Sequence, residues 1–293
     1  MRKIFATSVI DFAKDSNCYF LTADLGFLAL EGVRDAFGDR FINAGISEQN
    51  LIGVAAGLAK EGHKVFVYSI APFIYARPYE QIRNDLCFSN LPVCLVGNGG
   101  GYAYGHMGPT HHALEDCAAM AALGVKVLVP AFDSDIPELI KNITTTTYLR
   151  LGYDEKPKEA KAPEYKQWRI VLEGEKGTLV ALGPLAGVAW EAFKNVKKAL
   201  RPTIWAATTI TPETAPQELF STMDGKEVYI IEEHVAAGGL GMNLAYVMTK
   251  KNIRPSKFTH RVALRYPTKT YGSQNFHRIQ CGLDIESLRT INT

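Results

Sequence analysis

The stretch Gly45-Ile46-Ser47-Glu48-Gln49-Asn50-Leu51-Ile52-Gly53-Val54-Ala55-Ala56-Gly57-Leu58-Ala59 places one carboxylate at the head of a helix that is otherwise almost wholly apolar or small. Ser47 reads as the N-cap, with Leu51, Val54, Ala55 and Leu58 at core spacing. Two chemistries suit Glu48: a first-turn acid complementing the helix dipole, or a carboxylate in a nearly dry site whose protonation can be used. A second group lies between Ile70 and Arg83, where Phe73, Tyr75 and Tyr79 accompany Arg77. Aromatic rings beside a buried carboxylate suit a flat heteroaromatic ligand, and core packing accounts for the same rings equally well. The third group is the glycine-rich run Gly97-Asn98-Gly99-Gly100-Gly101 through His112, which carries His106, His111 and His112. His111 and His112 are adjacent, and no carboxylate or thiolate stands at matching spacing, which argues against a metal. Proton transfer to a polar substrate and plain surface exposure are the readings left. A dinucleotide site at Gly97-Asn98-Gly99 fails for want of a Gly-x-Gly-x-x-Gly that opens a helix.

The elements that must position these residues alternate along the chain. Strands are expected at Cys18–Thr22, Phe41–Ala44, Lys64–Ser69, Pro92–Gly97, Lys126–Pro130 and Tyr148–Leu151, and helices at Ser47–Lys60, Pro78–Phe88 and Ala113–Leu123. Continuous apolar strands alternating with helices predict an α/β fold whose mainly parallel sheet is covered on both faces. From Gly152 to Gln167 the composition turns to Lys, Glu, Pro and Asp, the mark of an exposed linker. This divides the chain into a first domain over 1–152, a linker over 153–167 and a second α/β domain over 168–293. In the second, strands are expected at Thr178–Leu182, Thr203–Ala207, Val228–Ile231 and Thr259–Leu264, with helices over Gly187–Leu200 and from about Gly241. In open parallel sheets ligands gather beyond the carboxyl ends of the strands, which is where all three groups fall. So does Ala23-Asp24-Leu25-Gly26, after the first strand.

Composition removes several classes of function. The 293 residues carry a formal net charge of +2 without a basic run, which gives nucleic acid or an anionic membrane nothing to hold. The five cysteines are scattered in apolar segments without Cys-x-x-Cys, so neither zinc nor an iron-sulfur cluster is expected and reduced core thiols are; the stretch Met1-Arg2-Lys3-Ile4-Phe5 opens no long apolar segment, and a cytoplasmic home is the expectation. No apolar run approaches a bilayer-spanning length.

Taken together, the loops resemble the transketolase family of thiamine diphosphate enzymes, specifically the pyrimidine-binding and C-terminal domains of a split transketolase. The residues that carry the resemblance are Gly45-Ile46-Ser47-Glu48-Gln49-Asn50, Arg77-Pro78-Tyr79-Glu80-Gln81-Ile82-Arg83, Gly108-Pro109-Thr110-His111-His112, and Glu232-Glu233-His234 followed by Gly238-Gly239-Leu240-Gly241. The resemblance implies that Glu48 hydrogen-bonds a ring nitrogen of the cofactor's aminopyrimidine, favouring the imino tautomer that deprotonates the thiazolium carbon. It implies that Phe73 stacks on the pyrimidine with Asp24, Ile70 and Tyr79 nearby, and that His111 lies beside the reacting carbonyl. Arg2, His106 and Arg150 would contact a sugar or sugar phosphate, guanidinium being suited to phosphate; a surface ion pair is the plain alternative for both arginines. The implied reaction is transfer of a two-carbon ketol unit from a ketose to an aldehyde.

Three departures qualify this reading. The family's Gly-Asp-Gly…Asn magnesium motif is absent, so the diphosphate and Mg2+ should be held by a separate N-terminal transketolase subunit, in an α2β2 heterotetramer. His106-Met107 stands where the family has an acidic pair, and Leu28 where it has a serine. The beta chain of a 2-oxo acid dehydrogenase and a non-catalytic protein of the same fold are the alternatives, and Gly108-Pro109-Thr110-His111 favours transketolase over the former.

Overall fold

The computed structural model describes residues 1–292, so Thr293, the last residue of the expected second domain, lies outside the described residues. The first sheet is built from β1 (Cys18–Thr22), β2 (Phe41–Asn43), β3 (Lys64–Ile70), β4 (Val93–Asn98), β5 (Lys126–Leu128) and β6 (Thr147–Leu151). All are parallel, in the order β2-β1-β3-β4-β6-β5. Strand alternation sends Val65, Val67, Val93 and Leu95 into one core, and Phe66, Tyr68, Cys94 and Val96 into another on the opposite face. That double burial is why these strands read as unbroken apolar runs.

The second sheet comprises β7 (Trp168–Leu172), β8 (Thr178–Leu182), β9 (Thr203–Ala207), β10 (Glu227–Ile231) and β11 (Lys257–Arg261), ordered β11-β10-β8-β9-β7. It is parallel except for β7, which runs antiparallel to β9 on the edge. The strand β7 was not expected from the sequence. The core that holds Leu21 and Val67 continues without a break to Val180, Trp205 and Ile230, so one apolar cluster reaches both sheets.

Several elements differ from expectation for physical reasons. The helix expected from Ala113 begins only at Asp116, because Ala113 bridges to Gly101 as an isolated antiparallel pair. The helix expected over Gly187–Leu200 runs Leu185–Phe193, where the Arg201 guanidinium reaches the carbonyls of Phe193, Lys194 and Val196 at 3.4, 3.4 and 3.0 Å. The helix expected over Pro78–Phe88 is present over Tyr79–Cys87, α-helical over Tyr79–Gln81 and π-helical over Ile82–Cys87. The stretch expected as an exposed linker contains no strand or helix but is pinned to the second sheet's helices. Its acids find basic partners there, Glu155 with Arg278 at 3.1 Å and Glu159 with Lys194 at 2.6 Å. Among the described residues, no helix is long and apolar enough to cross a membrane.

Candidate active site

The site begins at the carboxyl ends of β1 and β2. Asn43, the last residue of β2, clips the two following loops together. Its Oδ1 accepts from the backbone N–H groups of Asp24 (2.9 Å) and Gly45 (3.0 Å), and its Nδ2 donates to Asp24 Oδ1 at 3.0 Å. Asp24 and Gly45 both have positive φ, so the two loops turn sharply at the clip. Gly45 leads to Ser47, which precedes the helix Glu48–Lys60 but does not cap it with its side chain; the hydroxyl donates backward to Ala44 O at 2.8 Å. The buried face of this helix is Leu51, Ile52, Ala55, Ala56 and Ala59, with Val54 and Leu58 only half-buried. Glu48, in the first turn, is 5% exposed, a carboxylate in a nearly dry setting as well as one placed on a helix dipole.

The chain after β3 forms a helix, Ala71–Ala76, where the sequence suggested loop. It brings Phe73 and, just past its end, Arg77 over Glu48. Arg77 Nη1 donates to Glu48 Oε1 at 2.5 Å, and the guanidinium carbon sits 3.7 Å from the Phe73 ring centroid. His111 meets the same ring at 5.2 Å, planes 64° apart, and its Nδ1 is 2.9 Å from Thr110 Oγ1. Glu48, Phe73, Arg77 and His111 thus form one constellation, drawn from the start of one helix, a second helix with the residue after it, and the glycine-rich loop. Ile70 ends β3 half-buried below it, and Tyr79 donates to Ala119 O at 3.2 Å.

The glycine-rich loop is held from the side of the second sheet. Glu233 Oε1 accepts from Tyr102 N–H at 2.6 Å, and the glycine at 101 allows this approach because a Cβ there would lie 2.3 Å from that same oxygen. Burial opposes the Glu233 charge, but Arg278, Gln274 and the Tyr102 N–H outweigh it and hold the carboxyl below its ordinary range. The three histidines of the loop part company. His106 is exposed, His111 faces Phe73, and His112 is buried, placed between Gly105 O (3.1 Å) and the Tyr266 hydroxyl (2.7 Å). His277 stacks on Tyr102 with centroids 4.4 Å apart and meets His112 edge-on at 5.1 Å.

Burial lowers the affinity of His112 and His277 for protons, and for His112 the charge of His277 adds to the effect. In the unfolded chain each would titrate near pH ~6.5. Below that pH the unfolded state binds the protons first, so acidification erodes the latch between the loop and the chain beyond the second sheet. The expected result is a melting temperature that falls as pH drops below ~6.5. His112→Asn with His277→Asn should flatten that slope in melts followed by circular dichroism; an unchanged slope would show that these rings do not govern it.

The remaining candidates make other contacts, and Tyr104, which lines the opening at Arg2, links it to His111 with ring centroids 6.1 Å apart. Arg2 is exposed beside Tyr68 and Tyr104, and with Lys3, Asn98, Gly99 and Tyr153 it lines an opening of about 440 Å³. Arg150 is buried between the sheets. One guanidinium nitrogen donates to Ala113 O (2.6 Å) and Glu233 O (2.9 Å), and Nε lies 2.9 Å from Asp116 Oδ2 as an ion pair without hydrogen-bond alignment. Leu28 and Met107, two of the departures, are exposed, as are Phe27 and Ile46. Among the described residues, Asp116, Cys117 and His234 approach a metal-ligand grouping, but apart from Asp116 Oδ1 its oxygen and nitrogen atoms are engaged, and its sulfur is a buried thiol. Asp116 Oδ2 takes Tyr148 and Arg150, His234 Nε2 accepts from Ala118 N–H, and burial pushes the Cys117 thiol well up. Glu232 is fully buried and caps the helix Leu240–Lys250, accepting from Leu240 N–H, Gly241 N–H and His260 Nε2.

A parallel sheet with a nearly dry carboxylate and a ring face at its carboxyl edge places this chain among α/β proteins with a candidate ligand seat beyond the strand ends, and comparison with known proteins says which family it is. Residues 1–151 match the family described as the transketolase pyrimidine-binding domain. The chain is 32% identical over 223 residues to an apulose-4-phosphate transketolase subunit of Actinobacillus succinogenes, covering 73% of this chain and 71% of that one. It is 29% identical over 251 residues to the apulose-4-phosphate transketolase subunit of the same description from Phocaeicola vulgatus, covering 82% and 80% respectively. A solved structure described as a split-gene transketolase, an inactive beta4 tetramer, matches with a TM-score of 0.81 at 27% identity, over 99% of this chain and 95% of that one. The chain belongs to the transketolase family and is a transketolase-like subunit of the split kind.

Proposed function

We propose that this chain supplies the pyrimidine half of a thiamine diphosphate site in a transferase that moves a two-carbon ketol unit from a ketose or ketose phosphate to an aldehyde. The observation that carries this reading is the Glu48–Phe73–His111 constellation. It offers a ring face, a nearly buried carboxylate and a partly exposed imidazole in one place. The fit is tested by the planar N–H donor already there: Arg77 stacks on Phe73 and bonds Glu48, so the seat accepts a flat, donor-bearing group. Thiamine diphosphate, when bound, supplies the nucleophilic carbon and electron sink. Phe73 would hold the face of the pyrimidine with Ile70 and Tyr79 beside it, while Asp24, clipped by Asn43, would border the seat. Glu48 would hold the proton balance of a ring nitrogen, and His111 would exchange protons with the substrate oxygens.

Arg2 and His106 are exposed, and the cationic opening at Arg2 suits a phosphate. Mg2+ and the diphosphate are assigned to a partner subunit, because this sequence carries no Gly-Asp-Gly…Asn motif and the buried Asp116-Cys117-His234 grouping, with its thiol and imidazole, does not suit a cation that takes oxygen ligands. With that partner, the reading extends to an α2β2 assembly in the cytoplasm. The expected result is that the purified chain alone shows no ketol transfer and no tight binding of thiamine diphosphate with Mg2+. Activity should appear on adding a protein that carries Gly-Asp-Gly…Asn. Turnover by the chain alone, measured with a coupled aldose assay, would refute the divided site.

A further inference from the structure

We infer that, before its partner and cofactor arrive, Arg77 occupies the seat of the aminopyrimidine and must swing out to let the cofactor enter. The inference rests on the reading of Glu48 and Phe73 given above. A guanidinium is flat, delocalised and rich in N–H donors, and it stacks on aromatic faces. The carbon at its centre lies 3.7 Å from the Phe73 centroid, and Nη1 donates to Glu48 Oε1 at 2.5 Å. Those are the two contacts that a flat, N–H-bearing heterocycle would make with this chain. A ring stacked on that face and bonded to that oxygen cannot coexist with Arg77 in place. His111 also meets the Phe73 ring, edge to face at 5.2 Å, which leaves little room for a second planar guest.

Arg77 is the member of the group built to move. Its side chain is 44% exposed, whereas that of Glu48 is 5% exposed and fixed in the first turn of its helix. The exchange also keeps Glu48 partnered. A buried carboxylate without a donor is costly. Arg77 supplies the donor while the seat is empty, and the incoming heterocycle supplies it afterwards. Arg77 therefore acts as a resident competitor, and cofactor affinity is reduced by the fraction of time it is in place.

The test titrates the full chain with the free hydroxymethyl aminopyrimidine moiety of thiamine, followed by calorimetry and by the Arg Nε–H resonances in NMR spectra. Arg77→Ala is expected to bind this probe about tenfold more tightly than the wild type, as a seat closed roughly nine-tenths of the time would require. Arg77→Gln should behave likewise, the gain should vanish in Arg77→Ala with Glu48→Ala, and in the wild type the probe should shift the Arg77 Nε–H signal. Equal or weaker binding by Arg77→Ala, with Glu48→Ala still abolishing binding, overturns the occlusion and leaves the Glu48 reading standing. Absence of binding in every variant overturns both. Arg77→Ala removes the donor from the buried Glu48 and should lower the melting temperature; a single cooperative transition in each variant confirms that it is folded.

Discussion

Glu48→Ala, assayed in the complex with its partner, is expected to lower ketol transfer by about a hundredfold to ten-thousandfold, the range typical of losing a positioned proton-transfer group. The loss should appear in kcat, because the carboxylate is asked to manage a proton during the reaction and not merely to hold the cofactor. Glu48→Gln should be nearly as damaging: an amide keeps the hydrogen bond but cannot exchange the proton. Neither change should unfold the chain. The ion pair lost is with Arg77, which is 44% exposed and can return to water, so the cost should stay within about 1 kcal/mol. Near-normal turnover with a normal melting curve would sink the catalytic role of Glu48. It would also return the residue to the plainer function of a first-turn acid on a helix dipole.

How far the sequence revealed this site differs residue by residue. Glu48 was legible because a lone charge in an apolar helix is a local anomaly, and the parallel sheet because strands buried on both faces lose their polar alternation. What sequence could not give is the partner of each group. His111 and His112 are neighbours with the same chemistry, yet one faces Phe73 and the other is buried against Tyr266, a contact made 154 residues away. Asn43 looks like an ordinary strand end until Asp24 and Gly45 are seen to share its carboxamide. The acids of the Glu232-Glu233-His234 run serve as a helix cap and a clamp on Tyr102, tasks defined only by the fold. An N-cap residue at Ser47 was visible as a type, but its hydroxyl turned to Ala44, an equally local choice that spacing does not decide.

Arg150 poses the same problem with the largest energetic stake. A guanidinium at a strand end suits a sugar phosphate, yet here it joins the two halves of the chain, with Asp116 and the carbonyls of Ala113 and Glu233 as partners. Asp116 is fully buried, and if the arginine were removed the Tyr148 hydroxyl would be left to satisfy the same carboxylate oxygen by itself. Arg150→Ala should therefore cost about 3–5 kcal/mol of stability, the penalty for breaking a buried pair and leaving one charge behind. Arg150→Met combined with Asp116→Asn should recover part of that loss in urea denaturation, since no unpaired charge is left; Ala113 O keeps the Gly101 N–H, and the Glu233 carbonyl loses its donor. If Arg150 instead grips a substrate phosphate, Arg150→Ala would melt like the wild type, and the KM for a phosphorylated ketose would rise while that for an unphosphorylated one stayed put. The two outcomes separate because a residue that holds the two halves together is needed before any substrate arrives, whereas one that binds phosphate is missed only when the phosphate is there.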